Sequence, residues 1–441
     1  MKERTLFREF LWYASLNILG MLGLSCYILA DTFFVAQGLG ADGLAALNLA
    51  IPVYSFVHGT GLMLGMGGAT RYAIFRGQGS EKNGDRVFSQ TLQLGAAFAV
   101  LFMTSGLLFS RQLAALLGAD ETGFSMTNTY LKVILLFAPA FIGNDILICF
   151  VRNDGNPRLS MTGMLLGSFS NIILDYVFIF PFGMGIFGAV LATGFAPVIS
   201  MLILSSHIRS GKNRFHFRRQ RPRREAAASV IALGFPSLIT EVSSGLVIIV
   251  FNILILGLAG NTGVAAYGVI ANLSLVVISL YTGIAQGVQP LMSRAWGRQE
   301  RGEALKAFCY AVGLALLISA AVYAILMLFT APLVSVFNSE GDARLQEMAE
   351  YGMRIYFKAI PFAGFNIVLS VLFTSTEQAL PAQLVSLLRG LILIVPAAVF
   401  LSGAAGLTGV WLAFPVTEGT VAALGAVLLA RTVRQFCGKQ F

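Results

Sequence analysis

Charge is what this chain of 441 residues lacks, since Asp, Glu, Lys and Arg together make up 12% of it. An ordinary soluble domain carries about 25%. Apolar residues fill 56% instead, too many for a soluble chain to cover with polar surface. Histidine and cysteine are scarce as well. The three histidines (His58, His207, His216) and four cysteines (Cys26, Cys149, Cys309, Cys437) are scattered, and no two cysteines have metal or disulfide spacing. A zinc site and a Cys/His catalytic pair are left without support, and no cofactor is expected. An enzyme would need a nucleophile–base pair or a metal site, and neither is visible.

What is present is a series of apolar blocks of roughly 20 residues, each long enough to cross about 30 Å of hydrocarbon. Barrel strands would alternate and be half as long, so the blocks read as helices. Twelve are expected, at 11–36, 44–70, 88–109, 126–150, 159–180, 185–206, 228–257, 264–292, 304–336, 349–373, 380–402 and 406–431. The first is too long for a signal-peptide core and ends without a small-residue cleavage site, so it reads as the first span.

The formal net charge of +9 matters less than its placement. Basic residues occupy alternate connections: Lys2, Arg4 and Arg8; Arg71, Arg76, Lys82 and Arg86; Arg152 and Arg158; the run Arg209–Arg224; Arg294, Arg298, Arg301 and Lys306; and Arg431, Arg434 and Lys439. The intervening loops, such as LGADETG and NSEGDARLQEMAE, are neutral or acidic. The positive-inside rule then places both termini in the cytoplasm. The run Arg209–Arg224 reads as a cytoplasmic linker beside anionic head groups, not as a nucleic-acid patch.

That linker (207–227) separates an N-terminal six-helix lobe (1–206) from a C-terminal one (228–441). A faint repeat relates them. At an offset of 220 residues Gly43, Ala45, Ala46, Gly67 and Gly77 match Gly263, Ala265, Ala266, Gly287 and Gly297, and at 222 Pro139 and Asn144 match Pro361 and Asn366. Six spans is an even number, so the halves enter the membrane in the same orientation, as a parallel pseudo-two-fold repeat. The expected fold is an all-α polytopic membrane protein of two six-helix bundles. A cavity between such bundles, opened alternately to each side, is its mechanical consequence.

Ionisable groups inside a bilayer cost several kcal/mol unless paired, solvated or protonated, so each asks for a reason. Asp31 in span 1 and Asp175 in span 5 fall at similar depth, Asn171 precedes Asp175 by four residues on one helix face, and Thr193 in span 6 reaches the same layer. Burial and a second nearby carboxyl both disfavour ionisation, which suits such a pair to proton exchange. The same Asp, Asn and Thr oxygens suit a hard cation such as sodium. Helix-packing hydrogen bonds are the plainer alternative. Glu241 in span 7 and Glu418 in span 12 are candidates for contact with a cation or a cationic substrate, or for buried pairing. Asp145, beside Asn144, reads as a solvated inner-vestibule residue. Arg389 is expected to snorkel or pair with a carboxylate, and His58 to be a satisfied polar residue.

Three stretches resemble the MATE (multidrug and toxic compound extrusion) family, in particular its bacterial members. Residues 152–194, RNDGNPRLSMTGMLLGSFSNIILDYVFIFPFGMGIFGAVLATG, look like its R-x-x-G-(D/N)-x-x signature followed by N-x-x-x-D and G-A-x-x-A-T. Residues 30–52 and 283–299 are similar to the matching regions of the two halves. The resemblance implies twelve helices in two bundles around a V-shaped cavity. It implies an antiporter of the bacterial inner membrane, acting as a monomer. Coupled to a proton or sodium gradient, it would export lipophilic, often cationic, compounds. Asp31, Asn171, Asp175 and Thr193 match the family's first-lobe cation site, with Asn144 a further contact. A carboxylate that one branch carries in span 10 is absent between Tyr351 and Phe373. The rival readings are a lipid-linked precursor flippase of the same superfamily, a membrane-embedded enzyme and a passive channel. A flippase would bring extra spans and a basic cavity, and a channel a ring of charges around its axis.

Overall fold

The computed structural model describes residues 2–119, 123–338 and 341–438. Asp120 and Glu121 of one acidic loop, Glu340 of another, and Lys439 lie outside the described residues. Every regular element among the described residues is helical. We number the spans α1 (Thr5–Gly40), α2 (Asp42–Gly77), α3 (Glu81–Leu116), α4 (Phe124–Leu136 with Ala138–Asn153), α5 (Pro157–Ile179) and α6 (Gly185–Arg209). Arg224–Gly297 supplies α7 and α8, Arg301–Leu328 is α9, Ala343–Ser375 is α10, and Ala379–Arg434 supplies α11 and α12. A short helix, Thr330–Phe337, follows α9.

Arg224–Gly297 is 74 residues long and Ala379–Arg434 is 56. At 1.5 Å per residue they measure about 110 and about 85 Å, enough for two crossings each. Each is broken where a glycine takes positive φ, at Gly260 (φ 65°, ψ −161°) and Gly406 (φ 58°, ψ −136°). Gly40, between α1 and α2, has φ 65° and ψ −155°. With both double helices divided and the bent pair of α4 counted as one span, the described residues carry the twelve expected spans. Large apolar side chains such as Leu317, Val399 and Phe400 are exposed on their outer faces, as lipid-facing positions require.

The repeat recurs in local geometry. Gly40 and Gly260 stand 220 residues apart with nearly the same dihedrals. A Cβ on Gly67 would overlap the Val230 carbonyl and crowd Gly234, and one on Gly287 would crowd Ala14. Subtracting 220 turns Gly234 into position 14 and Gly287 into position 67, so this is one contact occurring twice. Pro139 follows a 47° bend in α4. Its counterpart Pro361 follows a 3-10 turn at Phe357–Ala359 in α10. Proline withholds a helical N–H at both breaks.

The chain forms two compact units. One comprises Ser15–Val242 and Ser293–Gln299, and the other Met1–Ala14, Ser243–Met292 and Glu300–Phe441. The basic run belongs to the first unit and is held as a strap. Phe215 is buried against Tyr72, Phe88 and Phe150. His216 N and Arg218 Nε donate to Asp85 at 2.9 and 2.7 Å, and Arg223 N donates to Gln90 Oε1 at 3.0 Å.

Candidate functional site

Asp31, Asn171, Asp175 and Thr193 meet in the first unit, all of them buried. The N-x-x-x-D spacing puts Asn171 and Asp175 one turn apart on α5. The Asn171 amide donates to Asp175 Oδ2 at 3.0 Å and accepts from Thr193 N at 3.2 Å. Thr193 Oγ1 donates to the Ala189 carbonyl at 3.1 Å, leaving its lone pairs for the hydroxyl of Tyr130 on α4, which lies within reach. Pro197 cannot donate to the carbonyl of residue 193, so that oxygen lacks its intrahelical partner. The Asp31 and Asp175 carboxyls lie within hydrogen-bonding reach of each other. Two ionised carboxylates cannot share a hydrogen bond, so this contact needs a proton or a cation between them.

Each carboxyl also keeps an unsatisfied atom. Asp31 Oδ1 and Asp175 Oδ1 are buried with no hydrogen-bond partner. Buried oxygens left this way lose the desolvation cost of the group without return. Among the described residues no three His, Cys, Asp or Glu side chains gather, so the site is a two-carboxylate one supplemented by neutral oxygens. Such a donor set fits a proton or a hard monovalent cation.

Tyr130 was not foreseen. A tyrosine in an apolar helix carries the same sequence signal whether it packs or bonds. Tyr27, one turn before Asp31 on α1, is a second omission. It lies within electrostatic reach of Asp31 and Asp175 and bonds to the Tyr54 hydroxyl at 2.8 Å.

Two expectations are corrected. Asp145 is not a solvated vestibule residue. It is 4% exposed, and its Oδ2 lies 3.0 Å from Nδ1 of His58. Arg152 is not a loop residue. It is fully buried in the last turn of α4 and donates to Asn17 Oδ1 on α1 at 2.9 Å. The rest of that motif is local chemistry. Gly155 takes φ 93°, Asn156 caps α5 by accepting from Leu159 N at 3.1 Å, and Pro157 fills the first helical position. Asp154 closes the same end by accepting from Tyr72, from Nε2 of His207 at 2.9 Å and from Arg214 N at 2.8 Å.

The remaining candidates differ in surroundings. Asn144 is half-buried on α4, and its Oδ1 has no hydrogen-bond partner. Glu241 lies near His58 in the first unit. Glu418, in the second unit, is paired through both oxygens. Arg389 donates to Oε1 at 2.7 and 3.1 Å, and Asn366 donates to Oε2 at 2.7 Å. A π-turn at Leu388–Ile392 carries Arg389.

Known proteins share this architecture. The MatE family profile matches residues 17–177 and 236–400. Multidrug export protein MepA of Staphylococcus saprophyticus is 26% identical over 436 residues, covering 98% of this chain and 95% of its own. MepA of a Staphylococcus aureus strain is 27% identical over 440 residues, with the same coverage. Among solved structures, a multidrug resistance MATE family transporter of the MOP superfamily in an outward-facing conformation superposes with a TM-score of 0.92, at 23% identity over 98% of this chain and 97% of that one. That likeness carries the fold. With the family profile spanning most of both halves, the chain belongs to the MatE family.

Proposed function

We propose that this protein is a cation-coupled antiporter of a bacterial cell membrane that exports lipophilic, often cationic, organic compounds. The observation that carries the reading is the pair Asp31–Asp175, two buried carboxyls in mutual reach, each with an oxygen that nothing in the protein satisfies. Asn171, Thr193 and Tyr130 complete the donor set. The names of the staphylococcal relatives support the substrate class. Exchange requires the cation to bind one conformation better than the other, because a ligand with equal affinity for both shifts nothing. Loading from outside then favours the state that releases substrate outward. Glu418 has both oxygens engaged by Arg389 and Asn366, so it serves as a buried pair and not as a cation ligand.

The test is ethidium efflux from energised cells, wild type beside Asp175→Asn, with pH and sodium gradients varied separately. Asp175→Asn is expected to abolish gradient-driven efflux while the protein stays folded and in the membrane. Normal pumping by that variant would remove the coupling role. The gradient that drives the wild type names the ion. Absence of ethidium efflux from well-expressed wild type would turn the reading toward a lipid-linked precursor flippase.

A further inference from the structure

A second set of ionisable side chains lies in the same unit, apart from the Asp31–Asp175 site. His58 on α2 and Asp145 on α4 face each other at 3.0 Å between Nδ1 and Oδ2, their side chains 12% and 5% exposed. Gly61 makes the approach possible, since a Cβ there would overlap Asp145 Oδ2. The groups around His58 come from α2 itself, from α7 and from α4. Tyr54 stacks on the imidazole with ring centroids 5.7 Å apart and planes 7° apart. Glu241 on α7 stands close enough that a Cβ on Gly59 would lie 3.1 Å from its own Cβ. Cys149 and Arg152 follow Asp145 on α4.

Helix periodicity links this pair to the first site. Tyr27 and Asp31 are four residues apart on α1, and Tyr54 and His58 are four apart on α2, so each tyrosine shares a face with its neighbour. The two tyrosine hydroxyls are hydrogen-bonded at 2.8 Å. Tyr27 is within electrostatic reach of Asp31, Asp175 and Asp145 together. Because Tyr54 stacks on His58 and does not bond to it, the link couples the two sites electrostatically and offers no proton path.

Packing alone does not account for an imidazole and a carboxyl here. Apolar side chains of similar volume would fill the space without desolvating two ionisable groups. Resting on the coupled-export reading above, we infer that His58 and Asp145 form a second proton-binding unit of the transport cycle, coupled electrostatically to the Asp31–Asp175 site across the Tyr27–Tyr54 bridge. With the proton on the imidazole, the ring and the Asp145 carboxylate sum to zero charge. Release of that proton to water at an open face leaves one buried negative charge beside Glu241. A change in charge at Asp31–Asp175 therefore alters the proton affinity of His58, and by reciprocity His58 alters the loading of the first site. It follows that a pH gradient influences export even where sodium occupies the first site.

Only three histidines are present, which makes a direct test simple. Protein labelled with 15N-histidine is placed in nanodiscs and titrated by NMR, with His58→Gln assigning the signal. His58 is expected to titrate with a midpoint that moves in Asp145→Asn and moves again in Asp175→Asn. An unchanged midpoint in Asp175→Asn, or no titration of His58 in the folded protein, would overturn the inference. In proteoliposomes His58→Gln, and the neutral double variant H58Q/D145N, are expected to export ethidium with a flattened pH profile, where Asp175→Asn loses export altogether. A wild-type pH profile in folded His58→Gln would sink the second unit and leave the antiporter standing. Lack of ethidium export by the wild type would sink the antiporter, and the titration would still decide whether the pair binds a proton coupled to the first site.

Discussion

A buried charge in a membrane helix is explained by its partner, and Arg389 and Glu418 illustrate the rule. Three hydrogen bonds saturate Glu418, two from Arg389 and one from Asn366. Removing one member strands the other, at a cost of about 3–5 kcal/mol. Arg389→Gln and Glu418→Gln are each expected to lower the thermal unfolding midpoint in detergent. The double variant should recover most of the loss, because no lone charge remains. Equal, additive losses in the double-mutant cycle would mean the two side chains act independently. The sequence alone left Glu418 open between ligand and buried pair, because its partner Arg389 lies 29 residues away. The first site was easier to read. Asn171 and Asp175 share a helix face by spacing alone, and carboxylates in apolar blocks stand out. Arg152 misled for the opposite reason. An arginine closing an apolar block looks topogenic, and its burial depends on Asn17, 135 residues distant.

Among the elements, breaks between helices carry the repeat more clearly than the helices do. Gly40 and Gly260 combine φ of 65° with ψ near −160°, a region essentially closed to residues with a Cβ and costing them about 1–3 kcal/mol. Gly40→Ala and Gly260→Ala are therefore expected to destabilise by that amount. Gly313 lies within α9 with open space around it, so Gly313→Ala should be neutral or gain about 0.5–1 kcal/mol from helix propensity. Thermal unfolding of the three variants in one detergent makes the comparison, and equal shifts for all three would count against the backbone argument. Apolar blocks and charged gaps were enough to place twelve spans within several residues. They were not enough to show that α1 and α2, or α7 and α8, continue through a single glycine with no loop between. Hydropathy registers polar residues, and a glycine hinge supplies none. The strap at Arg209–Arg224 was invisible for a related reason. Its order comes from Phe215 and from Asp85, Ser89 and Gln90 on α3, which no local pattern connects.

For the whole molecule, orientation decides whether the cation site can do its work. Asp175 sits four residues from the end of α5, about 6 Å along the helix axis from the turn into α6. The basic strap lies at the opposite end of α6. With the strap in the cytoplasm, as the positive-inside rule expects, the carboxyls lie in the outer half, where an inward cation gradient can load them. With the strap outside, the same carboxyls would face the low-potential side, and cation entry could not drive export. Single cysteines settle the point in a background lacking Cys26, Cys149, Cys309 and Cys437. Phe182, exposed in the turn between α5 and α6, and Lys212, exposed at the start of the strap, are the reporter positions. A membrane-impermeant maleimide is expected to label Phe182→Cys in intact cells and Lys212→Cys only after the membrane is opened. The reverse pattern would place the cation site on the cytoplasmic side, and inward cation flow would then have to leave through the site rather than enter by it.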